Sequence, residues 1–292
     1  VTVAANVGPW AARSIAAPQG RDINAVIAQV ARRVSAYYQR VQQLICIEQS
    51  TVVPIASNWS MEGLARTVES ELRVEWPEAD GDGPNEPRIT REIRRINGRA
   101  PRERDLHDRS GCTDPTPFST EPLAFLLPAH RDEYRFTTVR DGKERDRAAL
   151  VIDFVSTERS SRAGLIEDDR GHDDCFDWKG SIAIDGRLWV DAATNDVLRL
   201  ERHIRGPIDV KVPTRLQRKY QFTSWLTLER DDMTLRFKDV AFSNPEEVVL
   251  LPESMESMTV FRTGLQSIRT RQVFSDYQRF LTGSRIVKSG GH

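Results

Sequence analysis

The densest set of side chains able to do chemistry is Glu167-Asp168-Asp169-Arg170-Gly171-His172-Asp173-Asp174-Cys175. Carboxylates beside an imidazole can ligate Ca²⁺ or Zn²⁺. The spacing fits neither the alternating-acid calcium loop nor a paired-histidine zinc motif. The segment therefore reads as a solvated acidic loop, and no metal is assigned. His107, His130, His172, His203 and His292 form no HExxH, and the chain has no G-x-S-x-G elbow and no glycine-rich phosphate loop. Asp185 and Asp191 stand at turn-like dipeptides, where a carboxylate bonds its own backbone. No catalytic residue is assigned and no cofactor is expected. A hydrolase or metal-dependent site assembled from two loops remains an alternative.

Binding chemistry has better candidates. Trp178, Trp189 and Trp225 are either the aromatic walls of a ligand cavity or ordinary core. Leu123, Phe125 and Leu126 belong to LAFLLP, the most apolar short run in the chain. That run is either a lid over an open sheet or a permanently packed element. Arg199, Arg202, Arg205, Arg262, Arg269 and Arg271 dot the late strands, with Arg199 the leading candidate to meet an anionic group. Cross-strand ion pairs are the alternative. Cys112 and Cys175, both in turn-rich acidic contexts, are the expected disulfide of an exported protein, and Cys46 reads as a buried thiol.

These groups must be positioned by strands. Asp22 caps a helix to about Gln43, with Ile23, Val26, Ile27, Val30, Val34, Tyr37, Tyr38 and Val41 on one stripe. Leu44 to Ile55 follows as a strand. In Ala65 to Trp76, Val68, Ser70, Leu72, Val74 and Trp76 alternate with Thr67, Glu69, Glu71, Arg73 and Glu75, so one face is wet. Arg88 to Asn97 is a strand closed by Asn97-Gly98. Phe118 to Leu127 reads as a short helix capped by Ser119 or Thr120. Tyr134 to Val139 and Ala148 to Val155 read as a hairpin about Asp141-Gly142. Six later strands are expected: Gly180 to Ile184, Arg187 to Asp191, Val197 to Ile204, Gln217 to Leu228, Met233 to Phe242 and Met255 to Tyr277. Turns at Asp185-Gly186, Asn195-Asp196, Gly206-Pro207 and Asp231-Asp232 separate them.

The fold class is α+β and mostly β: a large curved antiparallel sheet wraps the N-terminal helix and a second short helix. One domain is expected over 22–282, with a flexible lead at 1–21, polar insertions near 99–117 and 156–177, and a tail at 283–292. The Ala/Pro/Gly-rich lead reads as a mature form whose signal peptide has been removed. A net charge of −1 gives no drive toward nucleic acid, and no segment is apolar enough to span a bilayer. Six of the 42 basic residues are Lys, a bias that suits carboxylate and phosphate contacts.

Three features together resemble a known family. An N-terminal amphipathic helix leads straight into a long strand. Gly180 to Glu201 reads G-x-I-x-I-D-x-x-L-W-V-D-x-x-T-x-x-V-L-R-L-E. Leu251-Pro252 precedes an arginine-dotted last strand. This pattern resembles the LolA/LolB-type periplasmic lipoprotein-carrier superfamily, especially its larger relatives. It is best over Gly180 to Glu201, weaker over Asp22 to Trp76 and poor over Arg99 to Asp177. The resemblance implies an incomplete β-barrel around helices, an apolar cavity for acyl chains, and an arginine that locks a helix lid. The chain is accordingly expected to be an exported, monomeric, non-enzymatic protein that binds a lipid or an acylated protein. A cavity-less interaction module of the cell envelope is the rival.

Overall fold

The structure is a computed structural model that describes residues 22–41, 44–56, 58–75, 88–102, 122–158, 160, 163–167, 176–243, 245–262, 264–281 and 285–288. Helix α1 (Ile23–Arg40) begins where the sequence places it. Asp22 is extended, and its carboxylate accepts the N–H of Asn24 at 2.9 Å, satisfying one of the first-turn donors. Ile27, Val30, Ala31, Val34 and Tyr38 form the buried stripe. At the other end, Arg279 Nη2 donates to the carbonyl of Arg40 at 3.1 Å. A cation there meets the negative end of the helix dipole.

Fourteen strands follow among the described residues, all in one sheet. They are β1 (Leu44–Ile55), β2 (Arg66–Glu75), β3 (Arg88–Ile96), β4 (Tyr134–Glu144), β5 (Arg147–Ser156), β6 (Ala163–Glu167), β7 (Phe176–Lys179), β8 (Ile184–Asp191), β9 (Val197–Ile204), β10 (Ile208–Lys211), β11 (Trp225–Ser243), β12 (Glu246–Phe261), β13 (Ser267–Leu281) and β14 (Arg285–Lys288). The main path runs β3-β2-β1-β13-β12-β11-β9-β8-β5-β4 and does not close, so β3 and β4 are its end strands among the described residues. All its pairings are antiparallel; β10 with β6 is the one parallel pair among those described. A second helix, α2 (Thr214–Tyr220), stands in a stretch read as the start of a strand.

Two apolar clusters result. The larger lies between α1 and the sheet and includes Val30, Val34, Leu126, Ile152, Leu188, Leu200, Leu235 and Phe274. The smaller lies under α2 and is built from Ala163, Leu165, Ile208, Val210, Val212, Leu216, Leu226 and Leu228.

The predicted helix over LAFLLP is instead two 3-10 segments, Ala124–Leu126 and Pro128–Glu133. Pro128 brings no N–H and holds Leu127 extended at φ −68 and ψ 152, so a helical run cannot pass through it. The residues before 122 in that prediction lie outside the described residues.

Candidate functional site

Strand alternation defines the inner face. Along β1 the inward positions are Leu44, Cys46, Glu48, Ser50 and Val52, so an apolar run is interrupted by a carboxylate and a hydroxyl. The register places Val68, Ser50, Gln272, Met255, Leu235, Leu200, Leu188 and Ile152 side by side from β2 to β5. The next row contains Val52, Thr270, Ser257, Met233, Arg202, Gly186 and Phe154. The first row grades from polar at β1 and β13 to aliphatic at β11, β9, β8 and β5, while the second row sets Arg202 of β9 between Met233 and Phe154. Leu235, Leu200, Leu188 and Ile152 are fully buried, whereas Met233, Met255, Ser257 and Arg202 are half-buried.

The polar end is organised by Glu48, 1% exposed. Arg91, on the edge strand β3, reaches across β2 and binds Glu48 through Nε at 2.5 Å and Nη2 at 2.9 Å. Ser70, opposite Glu48 on β2, is small enough to leave room for that reach. Gln272 Nε2 donates to Glu48 Oε1 at 3.0 Å. A buried carboxylate persists only with such partners. Ser50 Oγ, one step along β1, is buried with no hydrogen-bond partner, and so is Arg202 Nε. Arg202 Nη2 rests 3.4 Å from Asp231, which also accepts the Thr259 hydroxyl at 3.0 Å.

Beside this patch are three groups with strongly shifted equilibria. Burial pushes the Cys46 thiol up to about 12, and the charge of Glu48 adds to it against Arg91 and Lys238. Burial also raises the phenols of Tyr37 and Tyr277 well above their ordinary range. The Tyr277 hydroxyl donates to the carbonyl of Pro252 at 2.7 Å. The raised pKa values make all three groups weaker acids and keep them neutral near pH 7, so the Cys46 thiol is a poor nucleophile in this state. Among the described residues no group of three or more His, Cys, Asp and Glu side chains is arranged to hold a metal.

The cover over the aliphatic end is α1 and the 3-10 turn Ala124–Leu126. The Leu123 N–H donates to the Tyr38 hydroxyl at 2.9 Å. Phe125 packs on Tyr134 and Phe154, with ring centroids 5.1 and 4.8 Å away. Arg33 of α1 grips Asp196, in the β8–β9 turn, with Nε at 2.8 Å and Nη2 at 2.7 Å. Next to this pair is a void of about 20 Å³ lined by Arg33, Val34, Tyr37, Leu123, Asp196, Val197, Phe237 and Leu250. That is room for about one water, where ligand pockets run to about 300–1,000 Å³. In this conformation the cover is seated.

The predicted site residues are thus divided. Leu123, Phe125 and Leu126 meet beneath α1, and Leu123 lines the void. Trp189 and Arg199 alternate with Leu188 and Leu200, so they lie on the outer face. There the Arg199 guanidinium stands 4.3 Å over the Trp189 ring and pairs with Glu144 and Glu201. Arg236 also binds Glu144, while Arg140 and Arg187 share Asp153. Arg262 and Arg271 pair with Glu229 and Glu256. The late arginines are largely laid out as cross-strand ion pairs. Trp225 is exposed at the start of β11, and Trp178 of β7 pairs in register with Leu165 of β6. Cys112 and Cys175 lie outside the described residues, as does the acidic cluster after Glu167. Glu167 itself binds Arg215, Lys219 and the Tyr220 hydroxyl. The sequence reading missed Glu48, Arg91, Ser50 and Gln272. The parity of β1 was the available signal, since a strand whose inward positions are Leu44, Cys46 and Val52 also sends Glu48 and Ser50 inward.

No family model matches the chain, and no curated protein matches its sequence. Two solved structures are similar in fold. One is a DUF1329 family protein from Desulfovibrio piger, with TM-score 0.38 and 11% identity over 90% of this chain and 95% of that one. The other is a LolA superfamily protein from Nitrosomonas europaea, with TM-score 0.30 and 7% identity over 87% of this chain and 94% of that one. Both likenesses are distant.

Proposed function

We propose that this chain is a non-enzymatic carrier or binding protein of the cell envelope. Its ligand is amphipathic, a lipid or an acylated protein. The acyl part lies on the inner face at Met233, Met255 and Phe154 after α1 and the Ala124–Leu126 turn lift. The polar end meets the unpartnered hydroxyl of Ser50 on the β1 side of the face. The observation that carries this reading is the graded first row of the inner face, aliphatic under a separate cover and polar beyond it. Binding energy comes from apolar area, about 25 cal/mol per Å², less the cost of moving the cover.

Native mass spectrometry of the purified protein, with a denaturing lipid extract in parallel, is the test. A co-purifying acyl lipid, or uptake of a lysophospholipid on titration, supports the carrier. A clean apo mass with no uptake favours the second reading, an interaction module working through the sheet edge. The small size of the void beside α1 and the position of β3 at the end of the sheet among the described residues speak for that reading.

A further inference from the structure

The Asn97-Gly98 turn that ends β3 sets an amide beside a nucleophile. Both residues are exposed, and both have left-handed backbones, at φ 48 and φ 77. Glycine takes that conformation freely and asparagine tolerates it. A Cβ built on Gly98 would meet nothing within 4 Å, so that flank of the turn is open. Ile96 N–H donates to the Arg99 carbonyl at 2.8 Å and Arg99 N–H to the Ile96 carbonyl at 3.0 Å. Between them, among the described residues, the Gly98 N–H and the Asn97 Nδ2 donate to nothing. Asn97 Oδ1 does have a partner and accepts the Thr67 N–H at 2.8 Å. The Asn97 N–H donates in turn to the Thr67 carbonyl at 2.8 Å, which fixes the asparagine against β2.

The two ends of this amide are thus treated differently. Its oxygen is held by a backbone donor, and its nitrogen is free to leave. Attack on the amide carbon drives negative charge onto Oδ1, where a fixed N–H is already aimed. The attacker at hand is the Gly98 nitrogen, next in the chain and shielded by no side chain. Ring closure within one turn needs no bimolecular encounter.

We propose that Asn97 is a site of self-modification, at which the turn converts its own amide to an acid. The Gly98 nitrogen bonds to Asn97 Cγ, its proton passes to the departing amide nitrogen, and the Cγ–Nδ2 bond breaks to release ammonia. Water then opens the cyclic imide at either carbonyl, which gives aspartate or isoaspartate. The products differ in consequence. Aspartate keeps an oxygen for the Thr67 N–H. Isoaspartate carries the chain through its β-carbon, which lengthens the backbone and breaks the pairing of Ile96 with Arg99. β3 is an end strand among the described residues and bears Arg91, the partner of Glu48. Isoaspartate therefore loosens the polar end of the inner face. This inference is independent of the ligand held there.

The test is peptide mapping by mass spectrometry of the full chain aged at mildly alkaline pH, folded and in urea. In the folded protein Asn97 is expected to convert at least as fast as in urea. It should also convert ahead of Asn24, Asn58 and Asn195, whose next residues all carry side chains. Isoelectric focusing should show a shift of one negative charge. Asn97→Asp is expected to focus with the aged form and to melt as the wild type does, while the isoaspartate fraction melts lower. An Asn97 that stays intact, or that converts more slowly folded than in urea, overturns the proposal by showing that the turn protects its amide. So does earlier conversion at Asn24, Asn58 or Asn195. An isoaspartate fraction that melts as the wild type does overturns the link to β3.

Discussion

The backbone N–H of Leu123 and the hydroxyl of Tyr38 meet at 2.9 Å inside the core, joining residues 85 apart in sequence. This bond fastens the 3-10 turn to the helix. Tyr38→Phe leaves the Leu123 N–H buried with nothing to donate to. The expected loss is about 1–3 kcal/mol, read by urea denaturation, with faster hydrogen exchange at residues 123–127. A variant as stable and as protected as the wild type would show that the turn is held by packing alone.

The Glu48–Arg91 pair gives an asymmetric expectation. Arg91→Met strands a carboxylate in the interior and should cost about 3–5 kcal/mol. Adding Glu48→Leu removes the stranded charge and should recover most of that loss. Equal destabilisation of the single and double variants would mean that the pair is not the stabilising element of this edge.

Cys46 tests whether the interior is closed to solvent. With its thiol at about 12, it should resist iodoacetamide at pH 8 for hours and label at once in denaturant. Peptide mapping separates it from Cys112 and Cys175. Rapid native labelling would show that the cover opens often.

Asp191 supplies a pH dependence. Burial alone raises its carboxyl, but the N–H groups of Thr194 and Ala193 and the Arg147 guanidinium outweigh burial and hold it below 3.8. The folded state therefore binds that proton more weakly than the unfolded chain. The stabilisation is complete above the unfolded value, near 3.9, and is lost as pH falls through the depressed folded value. Thermal unfolding of wild type and Asp191→Asn should differ by a constant amount above the unfolded carboxylate value and converge as pH falls through the depressed folded value. A gap that persists at the acid end would assign the effect to geometry rather than to charge.

The sequence made β1, β2, β3 and β9 legible almost to the residue, because each keeps one wet face and ends at a turn or a composition change. Two of its errors fall at glycines. Asp141-Gly142 and Asp185-Gly186 read as turns, yet both lie within strands, β4 and β8. At Gly186 a Cβ would strike the Glu201 carbonyl and would come within 2.5 Å of the Phe154 ring. At Gly142 it would meet Val151 at 2.6 Å. These glycines make room for a neighbour across the sheet, information that local sequence does not hold. The hairpin after β4 turns instead at Arg145, with φ 53, and Asp146. Asp231-Asp232 likewise runs on within β11, where Arg202, Arg230, His203 and Thr259 accommodate the two charges. The last expected strand is two, β12 and β13, joined through a turn that contains Gly264 at φ 84.

One strand serves both apolar clusters. Leu226 and Leu228, near the start of β11, belong to the small cluster and pair with β10; Leu235, further along, belongs to the large one and pairs with β9. Along its other edge β11 follows β12 with few interruptions from Leu228 to Ser243. β11 is therefore a common axle. Among the described residues the layer of β6, β7, β10 and α2 is held to β11 by the four pairs with β10 and by packing on Leu226 and Leu228, and it can detach by giving these up while the main sheet stays zipped along β12. The converse does not hold, since unzipping β11 from β12 strips both clusters of a wall together. In proteolysis or in pulling experiments the chain should shed the small layer first and then fail as a whole.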